Sequence, residues 1–122
     1  VRNENVITKS FARLLPRVMD FLDSMEASLN SAALHIVWNM SSFEFHHRAR
    51  LARTPRLVER LCAMLDDGNN AMRAALTLFN LSEVPTNRIL LLAHEQVFVH
   101  RAMQQSSVSD ILASVLHELS VD

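Results

Sequence analysis

The chain has 122 residues, 49% of them apolar, enough for one domain that withdraws about 65% of its unfolded surface from water. Twelve basic against thirteen acidic residues leave a formal net charge of −1, which excludes the global field that draws a protein to nucleic acid or anionic lipid, so any charged partner is met locally. A single cysteine, Cys62, excludes an internal disulfide and suits a reducing, intracellular setting, cytoplasmic or nuclear, and a single glycine, Gly68, excludes a phosphate-cradling loop.

The chain opens at Val1 instead of Met, and "VRNENVITKS" lacks the charged-then-apolar order of a signal peptide, so a fragment of a longer protein is expected. One glycine and three prolines leave little turn material for a β-meander, and Leu, Ala, Met, Arg and Glu dominate between breaks, which predicts a nearly all-helical chain. Leu14, Leu15, Val18, Phe21 and Leu22 recur at helical spacing around Pro16; Asp23, Ser24, Asn30 and Ser31 follow as capping candidates. The next stretch, Ala33 to Ser41, reads "ALHIVWNMS". First helices are expected at His46 to Arg53 and Thr86 to His94, and second helices at Pro55 to Leu65 and Gln96 to Met103. "DDGNN", Asp66 to Asn70, stops the helix that starts at Pro55. The longest apolar run, Ile89 to Ala93, is far short of the roughly 20 residues that span a bilayer, and no membrane segment is expected.

Ala74 to Ser82 reads "AALTLFNLS", and an offset of 41 residues places Asn80 on Asn39, Leu92 on Leu51 and Ala93 on Ala52. A third copy ends in "ILASVLHELS", with Ser120 matching Ser82 and Glu118 in the Asn position. Units of this length, each unable to bury its apolar face alone, mark a stacked α-solenoid, here divided at about residues 1–41, 42–82 and 83–122 within one domain spanning 1–122.

Each unit resembles an armadillo repeat, whose third helix closes in an apolar-x-Asn-Leu-Ser ending preceded by an Ala-Leu pair. The resemblance covers nearly the whole chain and implies an all-α, right-handed solenoid of about three three-helix repeats. In that family the third helices line a concave groove where the Asn commonly holds the backbone of an extended peptide, so Asn39 and Asn80 are carried over as partner-binding positions. An Asn amide offers donors and an acceptor and can pair with a peptide backbone without reading its side chains. His35, Trp38, Leu76 and Phe79 would then choose side chains. The same two Asn residues have a plainer use, hydrogen bonding to an adjacent helix or loop. In the importin-α type of groove a Trp stands one turn before the Asn; His35 and Leu76 occupy that place here, which counts against a nuclear-localisation-signal receptor.

His46-His47 followed by Arg48, Arg50, Arg53, Arg56 and Arg60 is the one concentration of charge, opposed nearby only by Glu44 and Glu59, and suits an acidic peptide or a phosphate backbone. Nucleic acid is the weaker reading, because interleaved aromatics are lacking. The six His and one Cys have no metal-ligand spacing, and Asp66-Asp67 sits in a turn, so neither a metal, a cofactor nor an enzymatic activity is expected. The expected function is a protein-interaction scaffold. The alternatives are a structural subunit packed inside a large assembly, of the chromatin-remodelling ARID type or an axonemal armadillo type, and acidic-ligand or nucleic-acid binding through the basic patch. Apolar Ile111, Leu112, Val115, Leu116 and Leu119 near the end of the chain predict end-to-end packing with further repeats or a second copy.

Overall fold

Phe11, Leu15, Val18 and Leu22 recur at intervals of three and four, so a helix through them turns one apolar stripe toward a neighbour. A computed structural model describes the backbone of residues 2–120 and the side chains of residues 9–120; Val1, Val121 and Asp122, the outermost positions of the expected units, lie outside the described residues. Helix α1, Arg2–Leu22, buries that stripe and carries Pro16 within it, whose missing N–H forfeits one bond to the preceding turn. The carbonyls left open at the end of α1 are met by side chains. Asn30 Nδ2 donates to the carbonyls of Phe21, Leu22 and Ser24 at 2.9, 3.1 and 2.8 Å, and the Arg60 guanidinium donates to that of Leu22 at 2.7 and 3.1 Å. Asn30 thus serves the end of α1, and the N-cap of the next helix is Glu26, whose side chain makes no capping bond.

Helix α2 is Ala27–Ser41, α3 is Phe45–Arg53, α4 is Leu57–Met64 and α5 is Ala71–Ser82. After a 3-10 turn at Pro85–Asn87 come α6 (Arg88–Leu92), α7 (Glu95–Met103) and α8 (Ser109–Ser120). Among the described residues there is no strand, so the all-α expectation is borne out. Helix α2 lies between α1 and α5, α5 lies between α2 and α8 with α4 also against it, and α7 packs on α8. Buried side chains from Phe11 on α1 to Leu119 on α8 form one cluster, with Ala74, Ala75, Leu78 and Leu81 of α5 fully enclosed at its centre.

Two helix starts fall later than the sequence suggests. Helix α4 begins at Leu57, because Pro55 stands in a turn whose next residue, Arg56, has φ 72° in the left-handed region. A non-glycine residue is strained there, and Arg56 is the one described residue that adopts it. The helix expected from Thr86 is split, since Pro85 opens a 3-10 turn and Asn87, 1% exposed, pins it by donating to the carbonyls of Leu81 at 3.0 Å and Arg48 at 3.1 Å. The turn between α4 and α5 is closed by Asp67, which accepts from the Asn70 side chain at 2.8 Å, while Ser31 of α2 donates to Asn70 Oδ1 at 3.0 Å.

Replacing Leu78 by Ala empties the centre of this cluster; urea denaturation is expected to show a loss of about 2–5 kcal/mol.

Candidate functional site

The repeated ending "aromatic, Asn, apolar, Ser" has a hydrogen-bonded meaning. Ser41 Oγ donates to the Trp38 carbonyl at 2.6 Å, Ser82 Oγ to the Phe79 carbonyl at 2.7 Å and Ser120 Oγ to the His117 carbonyl at 2.8 Å, so one hydroxyl closes the last turn of α2, α5 and α8 alike. Ser41 and Ser82 are fully buried, and the small side chain leaves room for the next helix. From that next helix Asn80 Nδ2 donates to Ser41 Oγ at 3.0 Å, joining α5 to α2. Asn80 therefore uses one amide proton inside the fold, whereas Asn39, at the matching position on α2, is exposed and makes no side-chain bond within the described residues.

The other expected contact residues cluster around these two. His35 is exposed on α2 and meets Trp38 edge to face, ring centroids 5.7 Å apart at 85°. Trp38 is half-buried, as are Leu76, Phe79 and Asn80 on α5, and Phe79 also packs against the core. Arg73 of α5 lays its guanidinium carbon 5.6 Å from the Trp38 ring centroid, a cation–π contact that spans the two helices. Arg73 escaped the sequence reading although Arg73, Leu76 and Asn80 follow the i, i+3, i+7 stripe that would have found it.

The five arginines are not one patch. Arg48 pairs with Glu83 at 3.1 Å and donates to the Phe43 carbonyl at 2.8 Å; Arg56 and Arg60 both reach Asp23, at 3.0 and 3.5 Å. The expectation that only Glu44 and Glu59 oppose this charge is thereby corrected, since the acidic partners come from α1's end and α5's end, far away in sequence. Arg50 and Arg53 are exposed and have no partner among the described residues.

Two curated relatives match over 97% of this chain: the Armadillo repeat-containing protein LFR of Arabidopsis thaliana, 30% identical, and the protein of the same name from Oryza sativa subsp. japonica, 25% identical. The chain is an all-α array of armadillo type, similar to these proteins along nearly its whole length. It spans about a quarter, 26%, of the length of each of these relatives. No family model matches it, and no solved structure does.

The units share a second recurring tie. Arg60 of α4 reaches back to Asp23 and the Leu22 carbonyl at the end of α1, and Arg101 of α7 reaches back to Asp66, just beyond the end of α4. Arg60 and Arg101 are separated by the same number of residues as Asn39 and Asn80, a match that the sequence reading passed over. No described helix of the array is long and apolar enough to cross a membrane. Among the described residues no three His, Cys, Asp or Glu side chains gather as a metal site would require.

Cys62 of the array is buried on α4, and burial, with Glu59 nearby as the smaller cause, pushes its thiol up from 9.0 to about 12. The thiol stays protonated and inert at neutral pH. Its raised value contributes stability that is fully present below 9.0 and is lost as pH rises toward about 12. Reaction of the native array with a thiol-directed disulfide at pH 8 is expected to be at least about tenfold slower than that of the urea-unfolded chain. Ser41→Ala and Asn80→Ala, combined in a double-mutant cycle by thermal unfolding, are expected to couple by ~1 kcal/mol.

Proposed function

We propose that this armadillo array is a non-enzymatic protein-interaction scaffold that holds a partner segment along the face made by α2, α5 and α8. The observation that carries this is Asn39, an exposed amide with no side-chain partner among the described residues, set beside exposed His35 and half-buried Trp38 and Leu76 on two adjoining helices. Asn39 would meet the N–H and C=O of an extended partner, helped by the Asn80 carbonyl oxygen and its second amide proton, while His35, Trp38, Leu76 and Phe79 select side chains. Arg73 over Trp38 adds a positive charge that favours an acidic side chain at that place. The three units of about residues 1–41, 42–82 and 83–122 each contribute one helix to the face. The single, buried thiol supports a place inside the cell, cytoplasmic or nuclear.

A packed-subunit reading is favoured by one separate observation. Ile89 and Leu92 of α6 and Met103 of α7 are 76, 42 and 79% exposed, an apolar surface suited to further repeats, a second copy or a larger assembly.

The test compares wild type with Asn39→Ala in a quantitative pull-down followed by titration of the recovered partner. Binding is expected to weaken about five- to tenfold with an unchanged melting temperature, because the Asn39 side chain bonds to none of the described residues. Equal affinity would move the interface off this face; Ile89→Ser with Met103→Ser, by losing the partner instead, would favour the packed subunit.

A further inference from the structure

His47 is 5% exposed, yet among the described residues neither of its ring nitrogens has a hydrogen-bond partner. The ring lies against Phe11 of α1, centroids 4.7 Å apart, and edge-on to Phe43 at 5.7 Å. An imidazole so enclosed forfeits its bonds to water without replacement, which is costly and rare in folded proteins. His47 also lines an open cavity of about 430 Å³ together with Phe11, Phe45, His46, Arg50 and Arg53. A second cleft, of about 470 Å³, continues from it on the same two arginines, with Leu15, Met19 and Pro55 as its apolar wall. Among the described residues no carboxylate lines either one, and Arg50 and Arg53 are the two arginines of the region without a partner.

We propose that this double cleft between α1 and α3 is a docking site for an acidic peptide segment carrying an apolar anchor. Glu or Asp side chains of the partner meet Arg50 and Arg53, which stand three residues apart on one face of α3. The apolar anchor fills the space beside Phe11 and Phe45, and a carbonyl or carboxylate oxygen of the segment accepts the proton that His47 leaves unpaired. Charge complementarity selects the occupant: two free guanidinium groups over an apolar wall suit a short acidic peptide, whereas a nucleic acid needs a longer cationic track and stacking faces. The site lies on α1 and α3 and does not depend on the face of α2, α5 and α8.

The probe is a short fluorescein-labelled peptide alternating Glu and Phe, read by anisotropy, beside a Lys and Phe counterpart and a single-stranded RNA of similar length. Wild type is expected to bind the acidic peptide and neither of the others. Arg50→Glu with Arg53→Glu is expected to weaken it by roughly tenfold or more and to admit the basic peptide, while Arg56→Glu, half that charge change and outside the two cavities, leaves binding in place. Binding is also expected to shift the ring-nitrogen resonances of His47. If the reversed pair fails to fold by circular dichroism, Arg50→Gln with Arg53→Gln carries the same comparison. Equal affinity of wild type and the arginine variants, absence of acidic-peptide binding, or binding of the RNA alone would each overturn the proposal.

Discussion

The enclosure of α5 on two sides is the constraint from which the other features follow. Helix α5 packs on α2 through one flank and on α8 through the other, and it can do so because Ala74, Ala75 and Ser82 keep its side small where the neighbours approach. Thr77, also fully buried, turns its hydroxyl back to the Arg73 carbonyl at 2.7 Å, which pairs a polar group that would otherwise face the core without a partner. With the helix axes held this close, Asn80 reaches Ser41 and Arg73 reaches Trp38, so the candidate face is a by-product of the packing that makes the core.

Helical spacing and the scarcity of glycine made the all-helical, armadillo-type architecture legible, since both act within one element and are written locally. The repeated Asn and Ser were legible as a register and only partly as chemistry. Nothing in "WNMS" and "FNLS" distinguishes an Asn that bonds to the preceding unit from one that does not; the difference arises because Asn80 meets the Ser41 hydroxyl of α2, whereas no described side chain or carbonyl of α1 bonds to Asn39. The turn at Pro55 was misplaced for a similar reason, as a proline is equally at home at a helix start and in the turn before it, and the left-handed Arg56 decides between them.

Charge was the least legible property. Counted along the chain, five arginines within a short span look like one surface; in three dimensions Arg48, Arg56 and Arg60 are spent on helix ends and on acids from elsewhere, which leaves Arg50 and Arg53 without a partner among the described residues. Pairing between residues more than thirty positions apart leaves no local trace. The buried His47 is the converse case: an adjacent histidine pair in sequence becomes one exposed ring and one enclosed ring, because neighbours on a helix point about a hundred degrees apart.

The two ties that join the first helices to those that follow sit on different layers. Asn80 to Ser41 links α5 to α2, and Arg60 to Asp23 and Leu22 links α4 to α1. A junction fastened along a single line behaves as a hinge, free to open about that line. Fastened along two separated lines, it resists bending in either sense, because flexing one way stretches the amide–hydroxyl tie and flexing the other stretches the guanidinium tie. The setting of α5 on α2 and of α4 on α1 is therefore a mechanical property, held by paired tethers.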